Sequence, residues 1–429
     1  MAALDNLEAF SRGDTLEGRV ASHERRKEDM SHIAILGAGQ AGSSLAAKLR
    51  GLGFGGRITL IGEEDTLPYQ RPPLSKKYLM KEMTLEQLHL RPERFYTDND
   101  ITLRLGERVV AIDRAARQIH IGDDTVAYDQ LALTTGAAPR PLPVALGGDL
   151  PGVYVVRNLA DVDRMAPEFR EGRRVLVVGG GYIGLEAAAV AARLGLKVTL
   201  IEAAPRILQR VAAPETSDYF RNLHADNGVK ILEGAGLVGL ERGEAISVAL
   251  SDGSRRVVDF VIVGIGVTAN DRLAAAAGLA CDGGILVNTH GRTDDPAIWA
   301  AGDCARLPYR GEMIRLESVQ NAIDQAEAVA ANMLGAAAEY VPKPWFWSDQ
   351  YDVKPQIAGL NMAFDRVVVR PGASEKARSH WYFRQGGLLA VDAMNEPRSF
   401  MVGKRLIEAG RSLLPEQAAD TSFDLKSAI

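Results

Sequence analysis

Two stretches of this chain, about 140 residues apart, follow one plan, and that plan admits few folds. In the first, a short apolar run of strand type, HIAIL (32–36), leads into Gly37-Ala38-Gly39-Gln40-Ala41-Gly42. A helical pattern follows, with apolar positions 41, 45, 46 and 49, and then a second strand, RITLIGEE (57–64), ending in Glu63. In the second, RRVLVVGGGYIGLEAAAVAARLGLKVTLIEAAPRIL (173–208) repeats the order with Gly179, Gly181 and Gly184, and its second strand ends in Glu202. Strand, glycine turn, helix, strand and acid in this order describe a dinucleotide-binding βαβ unit. The glycines have separate tasks. Gly37 permits the tight turn, Gly39 lets a pyrophosphate approach the backbone, and Gly42 lets the helix pack on the strand. The helix N-terminus then offers unpaired N–H groups and the positive end of its dipole to phosphate. Glu63 is placed to accept hydrogen bonds from a ribose. One such turn is a weak signal, because glycine-rich turns are common; two complete units are a strong one.

At 429 residues the chain suits two or three domains. Hydrophobic residues make up 46%, mean hydropathy is -0.07, and no apolar run reaches membrane-spanning length, as expected of a soluble protein with no membrane partner. A net charge of -5 and a pI near 5.9 leave no basic footprint for nucleic acid. The two cysteines, Cys281 and Cys304, are far apart and in no metal-ligand spacing, and the seven histidines are scattered. No metal site is therefore expected, and the cysteine usage suits a reducing cytoplasm. Residues 1–30 mix acidic and basic side chains without an apolar core, which reads as a flexible extension rather than a targeting signal. Met30 is a candidate start codon.

Two further segments, YDQLALTTGAAPRP (128–141) and IWAAGDCA (298–305), are buried-type strands ending in Thr-Gly and Gly302-Asp303. In this order the segments resemble the flavoprotein reductases of the glutathione-reductase fold, in which the first strand leaves the FAD domain and the second returns to it. The implied class is α/β: two Rossmann-like dinucleotide-binding domains plus a C-terminal α+β domain. Residues 31–141 begin the FAD domain, 142–267 form an inserted NAD domain, 268–335 complete the first, and 336–429 form the third. In the third, FDRVVVR and SHWYFRQGGLLAVDAM read as strands and KRLIEAGRSLL as a helix. The resemblance implies that Asp303 hydrogen-bonds the ribityl chain of FAD, although a helix N-cap is another use for it.

The glutathione-reductase branch carries a cysteine pair before a Pro-Ser-Lys loop. Here the matching loop is QRPPLSK, read as a rigid cationic loop; it keeps Lys76, and no cysteine precedes residue 281. That loop, the GGGYIGLE turn and WFWSDQY (345–351) together resemble the FAD-dependent NADH:ferredoxin reductases of cytochrome P450 and ring-hydroxylating dioxygenase systems. A departure falls at VGIGVTAN (263–270), where relatives usually carry proline at the position of Ala269. By resemblance, FAD contacts fall at Gly37, Gly39, Ala41, Gly42, Glu63, Lys76, Val109, Arg157, Asp303 and Val319. NAD contacts fall at Gly179, Gly181, Tyr182, Ile183, Gly184, Glu202 and Gly266. Trp347 is expected beside the flavin, with Trp345 and Phe346 filling core.

The implied activity passes hydride from NADH to FAD and single electrons onward to a 2Fe–2S ferredoxin that supplies a P450 or oxygenase. Rubredoxin reductases, NADH oxidases and nitrite-reductase flavin modules share the scaffold, and apoptosis-inducing-factor relatives use it for binding. Lys76 and Glu186, the latter expected on the first turn of the second glycine-motif helix, should pair beside the flavin. Glu202 should favour NADH over NADPH. Residues 340–412 hold eleven Lys/Arg and seven Asp/Glu, a local +4 suited to receiving an acidic ferredoxin near Trp347.

Overall fold

The computed structural model describes residues 31–429; the extension at 1–30 and the Met30 start site lie outside the described residues. Strand His32–Leu36 sits at the centre of a five-stranded parallel sheet, between Arg57–Ile61 and Gln130–Leu133, with Ile101–Arg104 and Ile298–Ala300 at the two edges. A central parallel strand is covered on both faces, so its side chains are apolar throughout. Ile33, Ala34 and Ile35 are buried accordingly. Helices Gln40–Gly51 and Val319–Met333 cover one face through Leu45, Leu49, Ala326 and Val329. A three-stranded antiparallel sheet, Val109–Asp113 with Gln118–Ile121 and Asp124–Ala127, covers the other.

The second sheet repeats the layout. Arg174–Val178 lies between Lys197–Glu202 and Phe260–Val263, with Lys230–Glu233 and Val153–Tyr154 outside them. Helices Tyr182–Arg193 and Pro214–Asp226 pack on one face, and an antiparallel sheet of Leu237–Arg242, Ile246–Leu250 and Arg255–Val258 packs on the other. The two crossings between the large sheets run side by side, Ala137–Pro139 paired antiparallel with Val267–Ala269. Ala269 lies opposite Ala137 in that ribbon.

A third sheet is antiparallel, in the order Trp345–Trp347, Pro355–Gly359, Gly387–Met394, Arg378–Arg384, Arg366–Pro371. Helix Pro397–Glu408 seals one face with Phe400, Val402, Leu406 and Ile407. The helix expected at KRLIEAGRSLL is displaced: it begins seven residues earlier, with Pro397 in the first turn, where a missing N–H costs nothing, and it ends at Glu408, which leaves 411–414 outside it. The loop expected at QRPPLSK extends only to Pro73. Leu74–Tyr78 forms one turn of wide helix, with Tyr78 N–H donating to Pro73 O at 3.0 Å and Leu79 N–H to Leu74 O at 3.2 Å. Pro72 and Pro73 suit its start, since neither has an N–H to satisfy. Among the described residues, no helix is long and apolar enough to cross a membrane.

Candidate functional site

The C-terminal ends of both large sheets open into one cleft, walled on its third side by Trp345, Phe346 and Trp347. Its volume is about 2100 Å³, against roughly 300–1,000 Å³ for an ordinary single-ligand pocket. Such a space has room for more than one ligand.

The glycine turns show what the space is for. Gly37 and Gly179 have φ of +114° and +109°, and a Cβ on them would strike Thr134 O at 2.2 Å and Gly264 O at 2.3 Å. A Cβ on Gly42 or Gly184 would lie 2.0 Å from the carbonyl of Gly37 or Gly179. These four residues are glycine because protein is already there. Gly39 and Gly181 differ: a Cβ on either meets nothing within 4 Å. Each is the N-cap of its helix, with no capping side chain and no acid in the first turn. The free N–H groups of both helices therefore face open cleft, an arrangement that fits a diphosphate in each position.

Most of the residues expected at the site line this cleft: Ala41, Glu63, Lys76, Val109, Arg157, Asp303 and Val319 on the first side, and Tyr182, Ile183, Glu186, Glu202 and Gly266 on the second. Gly42 and Gly184 do not line it and act through packing alone. Glu63 lies beyond its strand, which ends at Ile61, and its carboxylate is 3.4 Å from Arg108 Nη1 at the rim. Arg157 Nη2 is 3.7 Å from Asp303 Oδ2. Burial pushes the Asp303 carboxyl up, and Arg157 opposes that rise. Asp303 caps no helix, since the chain enters strand Ala305–Tyr309 directly after it. Glu202 accepts the Gly180 N–H on one oxygen at 2.7 Å and the Ala204 N–H on the other at 2.8 Å.

Lys76 Nζ and Glu186 Oε1 are 2.9 Å apart, with side chains 12% and 13% exposed. Glu186 is the fifth residue of helix Tyr182–Arg193, so it stands on the second turn rather than the first. That extra turn carries it past the diphosphate end of the helix and opposite the wide turn bearing Lys76. Asp349 Oδ2 approaches the same ammonium at 3.7 Å. Burial pushes the Glu186 carboxyl up, with Lys76 and Ser348 holding it back. Trp345 and Phe346 do more than fill core. Both line the cleft, while Phe346 also packs edge-on against Tyr182 at 5.0 Å and Trp345 lies tilted against Phe400 at 5.8 Å.

Sequence reasoning missed a second charged group on the first side. Arg71 Nη2 and Tyr69 Oη each donate to the Glu64 carboxylate at 2.5 Å, and Arg71 Nη1 donates to Arg157 O at 3.0 Å. Arg71 opens the RPP segment, and a cation fixed before two prolines was the available signal. Neither cysteine lines the cleft; Cys304 is buried, its Sγ 3.4 Å from Leu133 O.

Residues 31–326 match the family model described as pyridine nucleotide-disulphide oxidoreductase, and residues 345–429 match the one described as reductase C-terminal. Rhodocoxin reductase of Rhodococcus erythropolis is 44% identical over 402 residues, covering 92% of this chain and 94% of that one. A solved ferredoxin reductase for the CYP199A2 system from Rhodopseudomonas palustris is 41% identical with a TM-score of 0.90, covering 93% of this chain and 100% of its own. The reductase structure in the covalent putidaredoxin reductase–putidaredoxin complex is 39% identical with a TM-score of 0.89, covering 93% and 98%. Two glycine turns facing one cleft, a third sheet walling it and a match over most of the chain lead to one conclusion: this chain belongs to the pyridine nucleotide-disulphide oxidoreductase family.

Proposed function

We infer that this chain is an NADH-dependent, FAD-containing ferredoxin reductase that supplies single electrons to a 2Fe–2S ferredoxin of a cytochrome P450 or ring-hydroxylating oxygenase system. The observation that carries the reading is the single cleft onto which two uncapped helix N-termini open, with no cysteine in its lining. An internal dithiol acceptor is missing, so electrons arriving there leave for an external acceptor. Relatives named for rhodocoxin, putidaredoxin and terpredoxin support a ferredoxin as that acceptor.

When bound, the two cofactors supply the redox chemistry, hydride from the nicotinamide and single electrons from the flavin. The chain binds and orients. The N–H groups after Gly39 and Gly181 hold the diphosphates, and Glu63 and Glu202 face the riboses. Asp303, beside Arg157, accepts from the ribityl hydroxyls. Lys76 presents a fixed ammonium to the cleft, and Glu186 offsets the cost of burying it. Tyr182, Gly266 and Trp347 shape the wall between the two halves and exclude water. The ferredoxin docks against the third region, close to Trp347.

Purified protein tests this directly. We expect bound FAD, bleaching of its visible absorption by NADH, and reduction of cytochrome c only when a 2Fe–2S ferredoxin is added. Cytochrome c reduction indifferent to ferredoxin, with hydrogen peroxide as the main product, would identify an oxidase instead.

A further inference from the structure

The four residues that follow Trp347 in WFWSDQY have no part in the function described so far, yet three of them are fixed by side-chain bonds that end on one carboxylate. Ser348 Oγ donates to Glu186 Oε1 at 2.6 Å. Gln350 Nε2 donates to Ser348 Oγ at 3.2 Å. Gln350 Oε1 is 2.8 Å from His224 Nε2, and Tyr351 Oη is 3.1 Å from His224 Nδ1. The remaining residue, Asp349, approaches Lys76.

The direction of this chain is determined from both ends. An amide oxygen cannot donate, so His224 Nε2 carries the proton; a neutral imidazole has only one, so Nδ1 accepts from Tyr351. At the other end Glu186 Oε1 already receives Lys76 and acts as an acceptor, so Ser348 must give it its single hydrogen. Every donor therefore points toward Glu186: Tyr351 to His224, His224 to Gln350, Gln350 to Ser348, Ser348 to the carboxylate. Reversing any link requires turning the Gln350 amide and moving the imidazole proton to the other nitrogen. Ser348, Gln350 and His224 are buried, so water does not substitute for a lost link. The backbone also accepts strain to complete the chain. Tyr351 has φ of +56°, unfavourable for an aromatic residue, and this turn sets its ring 5.1 Å from that of His224.

We propose that Ser348 is a positioning residue, held by Gln350 and His224, that keeps the Glu186 carboxylate ionised and aimed at Lys76 across the cleft. The proposal rests on the ferredoxin-reductase reading and adds a role for residues outside the cleft wall. The groups facing Glu186 are few: Lys76 from the wide helical turn, and Ser348 and the Asp349 backbone from the third region. Its own helix carries no other charge before Arg193.

The test compares Ser348→Ala, Gln350→Met and Ser348→Thr with the parent holoenzyme. Two pH profiles are read: the acid limb of flavin reduction by NADH, and the midpoint of the pH-dependent change in bound-flavin absorption without NADH. Loss of a hydrogen bond to a charged group should move both midpoints up by about one pH unit in Ser348→Ala, roughly a tenfold change in proton affinity. Gln350→Met should give a smaller shift, and Ser348→Thr, which keeps the hydroxyl, the parent profile. Should Ser348→Ala not fold, Gln350→Met carries the same test. Midpoints that superimpose on the parent, even with a lowered Tm, make the chain structural and overturn the proposal. A parent enzyme that NADH does not reduce counts against the functional reading itself, whereas unshifted profiles in an active enzyme remove only the positioning role.

Discussion

The guanidinium of Arg206 is tied back to the body of the second unit, its Nη1 donating to Ser217 Oγ at 2.6 Å and its Nη2 to Gln209 O at 3.4 Å. Arg206 follows the acid-ended strand closely and is the cation best placed to reach an adenosine 2′-phosphate. Held in this way, it leaves Glu202 to face that position. A phosphate about 4 Å from a carboxylate is opposed by up to ~4 kcal/mol at an effective dielectric near 20. A third of that is about tenfold in affinity. We expect kcat/KM for NADH to exceed that for NADPH by at least about tenfold, and Glu202→Ala to bring the two closer. Equal steady-state values for both nucleotides in the parent protein would remove the discrimination.

Glu186→Ala should destabilise the holoprotein, but by less than the ~3–5 kcal/mol typical of breaking a buried ion pair. The reason is Asp349, which stands 3.7 Å from the same ammonium and is half exposed, so it can follow the charge. Removing both acids leaves Lys76 with neither partner. The cost of Glu186→Ala/Asp349→Ala measured by urea titration should then exceed the sum of the single variants by more than ~0.5 kcal/mol. Simple additivity would show that Asp349 does not share the load.

The basic surface of the third region is weaker than its local count suggests. Arg366 pairs with Glu416, Lys376 with Asp352 and Lys404 with Glu408, while Arg370 donates to the carbonyls of Asp420 and Phe423. Extending the count from 412 to 429 adds Lys426 against Glu416, Asp420 and Asp424, so twelve cations face ten acids and +4 falls to +2. Salt should therefore slow ferredoxin reduction moderately and leave ferricyanide reduction by NADH nearly unchanged. Lys343→Glu and Arg398→Glu, both at exposed positions, should raise KM for ferredoxin more than Lys376→Glu does. Three equal effects would mean that the whole face contributes diffusely.

A buried polar cluster couples the second unit to the third sheet and makes stability depend on pH. Asp392 accepts from Thr216 Oγ1 at 2.9 Å and from Tyr382 Oη, while His380 Nδ1 lies 2.7 Å from Thr216 Oγ1. Burial pushes Asp392 up to about 6, His380 down to about 3 and His224 down to about 4. Unfolded references are about 3.9 for Asp and 6.5 for His. Between about pH 4 and 6 the unfolded chain binds a proton on each histidine that the native state lacks, and the native state binds one on Asp392. The unfolded state thus holds one more proton, and stability from these groups rises with pH by about 1.4 kcal/mol per unit. Asp392→Asn deletes the opposing group, so the slope should steepen to about 2.8 kcal/mol per unit. Urea midpoints taken across this range measure it; parallel slopes in parent and variant would contradict the assignment.

The parts legible in the sequence are those whose physical requirement is local. Gly37, Gly42, Gly179 and Gly184 are needed because a neighbouring carbonyl lies where a side chain would be, and that demand comes from the strand–turn–helix path itself. Glu202 closes its strand as expected, while Glu63 stands two residues past the end of its own. Apart from the expected Lys76–Glu186 pair, contacts made by distant segments were not legible in the same way. Ser348 and Glu186 are 162 positions apart, and only the return of the third sheet onto the second helix brings them together. The wide turn at Leu74–Tyr78 is hidden in the sequence because two prolines suit a rigid loop as well as a helix start. The cations at 366, 370, 376 and 404 look free in a charge count, and their partners appear only once the chain is folded.

The edge strand Ile298–Ala300 has a consequence for how the molecule is made. It pairs with Gln130–Leu133, across an interval that contains the whole second sheet. As the chain leaves the ribosome, the second sheet has all its strands by Val263, while Leu131 and Leu133 still present an unpaired apolar edge. The later-finished half is therefore the one begun first, and it waits with the kind of edge that recruits foreign strands. Chains ending between residues 264 and 297 should aggregate more readily than chains that include Trp299 and its neighbours, which close the sheet.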